Sequence, residues 1–343
     1  MTDLAAVGEL SRQSHSPDPE NAGMRTLGLP VGASHVSVFS LFRLPLGALL
    51  PSDLLYVYEE RGRVAGLARV EHESVRDEWT IVELDAIDNG TAGDIRFRLV
   101  QHLLKDASKR GGIRFHVACA DESANVDLFM QAGFARYGEE RILYRAPDKA
   151  RAKASGQSDP AERGIRAVAP IDALQLDRLY RKATPTPVAR LEDYRLKDWE
   201  RQGGTWRVPR SALTPILRFA DVEGFVQQEP SPGEGFVAFC QIGVAKEEQP
   251  HYLRVITRPE HDPTDLIDYG LSVIAERTRT RWVDRARPQR TDRGVISAVR
   301  TYESPLDRRL EERGFASIAE VSLLMRENAE RVREPALVPV ISR

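Results

Sequence analysis

The chain contains the stretch Leu128-Phe129-Met130-Gln131-Ala132-Gly133-Phe134 and, much later, the similar stretch Leu310-Glu311-Glu312-Arg313-Gly314-Phe315. Each follows a helical pattern and a strand pattern, and each precedes an apolar strand end, at residues 142–145 in the first copy and 323–326 in the second. A repeated unit of this length predicts two similar domains rather than a solenoid, whose repeats are about 20–50 residues long.

The composition is that of a soluble globular chain long enough for two cores: 343 residues, 41% hydrophobic and 29% charged. A net charge of −2 provides no overall attraction to nucleic acid or to an anionic membrane, so we expect neither partner. The only two cysteines, Cys119 and Cys240, lie in apolar runs, which predicts buried thiols and a cytoplasmic location. No apolar stretch approaches the roughly 20 residues of a membrane-spanning helix, and no cluster has zinc-ligand spacing.

The pattern divides the chain into five segments. Residues 1–23 are rich in Ser, Pro, Asp and Asn and are predicted to be a disordered tail. Residues 24–147 form the predicted first domain and residues 163–328 the second. The segment 148–162 between them has no apolar period and is predicted to be a linker, and residues 329–343 a second tail.

Local patterns predict the elements of each domain. In the first domain, residues 36–44 predict a strand, and two strand patterns flank Arg61-Gly62, as in a hairpin. A strand at 79–87 and an amphipathic helix at 94–110 follow. In the second domain, helices at 169–182 and 187–202 precede three strands and the repeated helix, strand, helix and strand.

This order of elements, with Gly-Phe closing the last helix, resembles the GNAT acyltransferase superfamily over residues 54–145 and 165–326. The resemblance implies an α/β fold of two tandem GNAT-like domains, each a mixed central sheet flanked by helices. It also implies acetyl-CoA as co-substrate and an amine of a small molecule or protein as acceptor. The first domain lacks the two opening helices, which often determine the acceptor in this family.

The resemblance places the pyrophosphate of acetyl-CoA on a glycine-containing loop at a helix N-terminus, where backbone N–H groups and the helix dipole favour an anion. In the first copy, Asp94 and Arg96 stand where glycines would be, although nearby glycines leave a looser binding loop open. In the second copy, residues 259–265 contain three carboxylates and no glycine, so we expect no CoA there. The predicted cofactor-binding residues are Ala86, Ile87, Asn89, Gly90, Thr91, Ala92 and Gly93.

The resemblance also implies a general base on the strand before that loop. Glu83 and Asp85 are the candidates in the first copy, since they alternate with apolar residues, and a solvated or ion-paired strand face remains the alternative. The corresponding candidates of the second copy are His251 and His261. His116, on the next parallel strand, is either a substrate contact or a structural histidine.

The positions matching the family's proton-donating tyrosine are Phe129 and Leu310, neither of which can donate a proton. Two hypotheses follow. One is an acyl-CoA-dependent N-acyltransferase whose chemistry lies in the first domain, and the other is a non-catalytic ligand-binding or protein-interaction module. Residues 277–293, rich in arginine around Trp282, are either a site for a nucleic acid or the 3′-phosphate of CoA, or a solvated helix end, which is the more ordinary explanation. The arrangement of the two domains and a homo-oligomer are left open.

Overall fold

The computed structural model of the protein describes residues 6–10, 53–73, 78–87, 90–147, 159–200, 208–228, 235–245, 249–280 and 293–328. Eleven strands among these residues form one sheet, in the order β1-β2-β3-β4-β11-β5-β10-β9-β8-β7-β6. The predicted strand at 36–44, the second tail and most of the predicted linker lie outside the described residues.

The first copy contributes five strands and two helices. A hairpin opens it, because Arg61 and Gly62 both have positive φ angles, 52° and 73°, which suit a two-residue turn between twisted strands. The elements are β1 (Asp53–Glu60), β2 (Arg63–Glu73), β3 (Glu78–Ala86), α1 (Ala92–Lys109), β4 (Arg114–Ala120), α2 (Ser123–Gln131) and β5 (Ala135–Arg145).

The second copy adds two N-terminal helices to the same pattern. Its elements are β6 (Ile165–Ala167), a 3-10 turn (Pro170–Asp172), α3 (Ala173–Ala183), α4 (Thr186–Glu192), a 3-10 turn (Leu196–Trp199), β7 (Phe219–Gln228), β8 (Phe236–Ala245), β9 (His251–Thr257), α5 (Thr264–Thr280), β10 (Val295–Arg300), a 3-10 turn (Thr301–Glu303), α6 (Ser304–Glu311) and β11 (Ala316–Glu327). No helix among the described residues is long and apolar enough to cross a membrane.

The two copies exchange their last strands. β11 of the second copy lies between β4 and β5 of the first, and β5 lies between β11 and β10 of the second copy. Each of these three junctions is antiparallel. The two predicted domains therefore share one continuous sheet, because each leaves room beside its penultimate strand for the last strand of the other.

Two further expectations change in the structure. Residues 6–10, inside the predicted disordered tail, are helical, and Val7 and Leu10 pack on Leu67 of β2. The predicted helix 187–202 ends early, at Glu192, because Asp193 adopts a left-handed conformation with φ 44°. The other predicted elements of the described residues are present with small shifts of their ends.

The helices and one loop cover the two faces of the sheet. In the first copy, α1 and α2 pack on one face through a large apolar cluster. On the opposite face, residues 208–218 of the second copy, here called the cover loop, place Ala212, Leu213, Ile216 and Leu217 against Val82 of β3 and neighbouring strands. The second copy thus covers the face on which the first copy lacks helices of its own.

Candidate functional site

β3 and β4 run parallel and separate part-way along their length. Four ladder pairs join them, from Glu78 with Arg114 to Ile81 with Val117, although both strands continue for several residues beyond the last pair. Val82 has no partner on β2, because Val70 pairs with Ile81 and the next ladder pair joins Arg69 to Glu83. This bulge directs β3 away from β4. We call the opening after Ile81 and Val117 the first fork.

A cavity of about 350 Å³ lies at the first fork, between the sheet and the cover loop. Both copies build it: Val82 and Ala118 come from the first copy, and the cover loop comes from the second. The remaining wall is mostly apolar and aromatic, with Tyr137, Val222, Phe219, Tyr252 and Leu323 among its residues. A mostly apolar cleft of this size is typical of small-molecule sites.

A row of polar side chains crosses the cavity floor one residue before the fork. Glu71 of β2 is opposite Thr80 of β3, and Thr80 is opposite His116 of β4. All three line the cavity. Glu78, whose side chain is 2% exposed, brings a carboxylate oxygen to 3.7 Å from Nε2 of His116. We call Glu71, Thr80 and His116 the polar row.

Buried charges fix the cover loop in place. The guanidinium of Arg210 donates to the Glu78 carboxylate, and its Nη2 is 3.7 Å from Glu73, which also lines the cavity. The backbone N–H of Arg210 donates to the hydroxyl of Tyr194 at 2.8 Å, and its carbonyl accepts from Arg300 at 2.9 Å. The second copy therefore supplies a cation to an acidic end of the cavity formed by the first.

A second set of buried charges lies beneath the same loop. Arg300 of β10 is 1% exposed and lies 2.7 Å from both Glu140 and Glu192. Glu140 also accepts a hydrogen bond from the backbone N–H of Ala212 at 2.7 Å. Burial raises the pKa of Glu140, and the nearby Arg300 opposes that shift. Through Glu140 these contacts tie the cover loop to β5 and β10, and removing Arg300 would leave uncompensated buried carboxylates.

The predicted bases lie beside the cavity rather than in its lining. Both Glu83 and Asp85 are buried, and Nε of Arg69 donates to the Glu83 carboxylate at 3.1 Å. Arg69 belongs to β2, on the side of β3 away from the fork. Whether either carboxylate acts as a base remains a prediction. The structure brings His116 and Glu71 to the cavity instead.

The predicted cofactor loop precedes α1. Gly90 has φ +81° and is exposed, and a side-chain carbon built at either Gly90 or Gly93 would meet no atom within 4 Å. An anion can therefore approach the backbone here. Asp94 in the first turn is exposed and lies 2.9 Å from Arg98, which offsets its charge. Ala86 and Ile87 lead from β3 to this loop, Thr91 and Ala92 begin the helix, and Asn89 lies outside the described residues.

The corresponding loop of the second copy is closed by its own side chains. Asp262 accepts hydrogen bonds from the backbone N–H of Thr264 at 3.1 Å and from its hydroxyl at 2.5 Å, and it lies 2.9 Å from Arg309. Burial raises the pKa of Asp262, but the hydrogen bonds from Thr264 and the charge of Arg309 outweigh it and leave the pKa below its usual value. A carboxylate thus lies just before the N-terminus of α5, where its charge would oppose that of another anion.

The second copy also has a fork, and a side chain fills it. β9 and β10 share only two ladder pairs, the last joining Tyr252 and Ile296. Arg254, 2% exposed, donates across the opening to the carbonyl oxygen of Ala298 on β10 at 3.1 Å. Both guanidinium nitrogens Nη1 and Nη2 also donate to Glu303, at 2.8 and 2.9 Å. We call this the second fork.

The other described residues singled out in the sequence are buried or are hydrogen-bonded or ion-paired to neighbouring residues of the fold. Nδ1 of His251 accepts from the backbone N–H of Ala245 at 3.1 Å, and His261 lies 3.0 Å from Gln227. Cys119 and Cys240 are both buried, which confirms the prediction of buried thiols, and burial raises the pKa of the Cys119 thiol to about 12 and that of Cys240 as well. From the arginine-rich segment, Arg277 pairs with Glu223 at 2.7 Å, and residues 281–292 lie outside the described part.

Sequence reasoning did not identify the cavity, because residues from two distant segments form it. Phe129 and Leu310, at the positions of the family's tyrosine, are fully buried. The cavity holds another tyrosine, Tyr137, whose pKa is raised by burial, so that its hydroxyl stays protonated. The alternation of His116 with apolar neighbours was the one signal that pointed to the polar row.

Comparison with known proteins identifies the fold. No protein-family model and no curated protein matches the sequence. A tandem GNAT protein from the clavulanic acid biosynthesis pathway is 12% identical, with a TM-score of 0.51 and 95% of each chain covered. A GCN5-related N-acetyltransferase from Sphaerobacter thermophilus is 13% identical, with a TM-score of 0.52, over 95% of this chain and 93% of that one. The chain has a tandem GNAT fold.

Proposed function

From this tandem GNAT fold, we propose that the protein is an acyl-CoA-dependent N-acyltransferase whose reaction takes place at the first fork. The observation that carries the proposal is the contrast between the forks: the first opens into a cavity, and the second is filled by Arg254 and Glu303. Gly90, just before α1, and Gly93, in its first turn, fit the pyrophosphate of acetyl-CoA, since a side-chain carbon at either position would meet no atom within 4 Å. Asp262 disfavours it in the second copy.

The cavity residues supply the chemistry that such a transfer needs. An acceptor amine attacks the thioester carbonyl, so that a C–N bond forms, the C–S bond breaks and the amine loses a proton. His116 is placed to accept that proton, because it lines the cavity in the row next to the fork. Tyr137 has a protonated hydroxyl in the same cavity, which can donate its proton to the leaving thiolate. Glu83 and Asp85 remain alternative bases.

A thiol-release assay tests this proposal. Full-length protein is incubated with acetyl-CoA and a broad panel of amines, and free CoA is trapped as it forms. We expect amine-dependent release that is lost in Gly93→Asp, because the new carboxylate opposes the pyrophosphate, and retained in Gly93→Ala, whose methyl group enters open space. No release with any amine, together with no binding of acetyl-CoA, would contradict the proposal.

The alternative is a non-catalytic module that binds a ligand in the same cavity. Two observations favour this alternative. The buried Phe129 stands where the family has its proton-donating tyrosine, and the ion pair with Arg69 occupies the carboxylate of Glu83, a candidate base. Such a module would be stabilised by a cavity ligand in a thermal-shift assay without any effect of CoA.

A further inference from the structure

We infer that the acceptor is a small amine carried on an apolar body, with its amino group at the polar row and its body under the cover loop. This inference rests on the proposed function and specifies its acceptor. It begins from two parts of the cavity lining: the carboxylates Glu71 and Glu73 beside the polar row, and the apolar side chains that the cover loop, β7 and β11 contribute.

The polar row places an amine next to the fork. Thr80 and Val82 lie on the same cavity face of β3, two residues apart, a separation of about 7 Å along a strand. His116 and Ala118 have the same relation on β4. An amino group held by Glu71, Thr80 and His116 would therefore lie within one such step of an acyl group at the fork.

The charge around the polar row favours a cation. Glu71 and Glu73 line the cavity, and Glu78 lies directly behind His116. The guanidinium of Arg210 is shared between Glu78 and Glu73. Arg114, 3.8 Å from Glu78, is also shared with Asp193 and Glu327. Arg210 also donates to the hydroxyl of Thr80 at 3.5 Å. Two carboxylates, Glu71 and Glu73, thus line the cavity beside the polar row and would attract an arriving ammonium ion.

Most of the remaining cavity wall is apolar and suits an apolar body, although Ser211, Thr214 and Gln241 also line it. Beyond the fork its wall includes Ile216, Leu217, Phe219 and Leu323, from the cover loop, β7 and β11. Arg218 also lines it, but this guanidinium donates to the backbone carbonyls of Pro215 and Leu217. A volume of about 350 Å³ holds roughly ten non-hydrogen atoms when each displaced water occupies about 30 Å³. This is room for an arylalkyl or medium-chain alkyl amine.

A homologous series of amines tests the inference. With acetyl-CoA, kcat/KM is measured for n-butylamine to n-octylamine, for 2-phenylethylamine and for spermidine. Each methylene buried in the cavity is worth about 0.8 kcal/mol, so we expect kcat/KM to rise roughly fourfold per added CH₂ until the cavity is full. Spermidine, which would bury two further charges against apolar walls, should be at least tenfold poorer than n-octylamine.

Binding to the protein alone provides a second readout. 2-Phenylethylamine should raise the melting temperature, and its uncharged isostere 2-phenylethanol should do so less. Glu71→Gln should reduce the difference between the two ligands, whereas Glu59→Gln, at an exposed position on β1, should leave it unchanged.

The outcomes separate the inference from the proposed function. A flat series, or spermidine equal to the alkyl amines, would overturn the apolar acceptor while thiol release itself supported acyl transfer. No thiol release and no acetyl-CoA binding would overturn the proposed function. In that case a ligand-dependent melting shift would assign the cavity to an amine-binding module.

Discussion

Each of the two forks forms where a pair of parallel strands separates, but the first opens into a cavity and the second is filled by the side chains of Arg254 and Glu303. Glu83 lies two residues after the last ladder pair of the first fork, and Arg254 lies two residues after that of the second. Both are buried and ion-paired. The partner of Glu83 is Arg69 on β2, away from the opening, whereas Arg254 reaches across the opening to Glu303. The position of the partner therefore decides whether the fork is open.

The largest expected effect comes from breaking the pair that fills the second fork. Arg254→Ala leaves the Glu303 carboxylate, 8% exposed, without its guanidinium and should lower the free energy of unfolding by about 3–5 kcal/mol. Urea unfolding measures it. Arg308→Ala, which breaks an exposed pair with Glu312, is the control and should cost under about 0.5 kcal/mol. Equal effects of both variants would show that Arg254 does not hold the second fork.

A second comparison separates His116 from Glu83 as the general base of the first copy. His116→Gln should reduce kcat by about 100-fold or more, the contribution typical of general-base catalysis, with little change in stability. Glu83→Gln should mainly lower the urea midpoint, since it weakens the buried pair with Arg69. Paired kcat and unfolding measurements test this. A large loss of kcat in Glu83→Gln at unchanged stability would assign the base to Glu83.

The smallest expected effect concerns the closed loop of the second copy. Asp262→Ala removes hydrogen bonds from Thr264 and should cost about 1 kcal/mol at pH 7. The folded-state pKa of Asp262 is lowered, so its contribution is present above the unfolded pKa of about 3.9 and is lost as the pH falls through the folded value. Unfolding of both proteins at pH 7 and at low pH should show the difference shrinking. A difference that stays constant with pH would show that the charge of Asp262 does not matter.

The sequence predicted the elements and the fold, because these depend on local patterns. The Gly-Phe stretches, the hairpin turn at Arg61-Gly62 and the period of α1 are each contained within a few residues. The exchange of β5 and β11 is different. Apolar strands can pair with either copy, and only the three-dimensional arrangement selects the partner.

The cavity at the first fork was not predicted from the sequence. The cover loop has no period and lies far in sequence from the strands that it covers, so the cavity between them leaves no local pattern. Arg254 did carry a signal: a charged residue between Leu253 and Val255 in an otherwise apolar strand requires a buried partner. The identity of that partner, Glu303, depends on the fold.

Calorimetric titration of acetyl-CoA into the full-length protein and two variants tests the central claim most directly. We expect one site per chain, with an affinity at least tenfold weaker in Gly93→Asp, whose carboxylate would lie at the N-terminus of α1, and unchanged in Asp262→Ala. Both variants should remain folded at the titration temperature. No binding, two sites per chain, or a loss confined to Asp262→Ala would contradict an acyl-CoA site at the first fork.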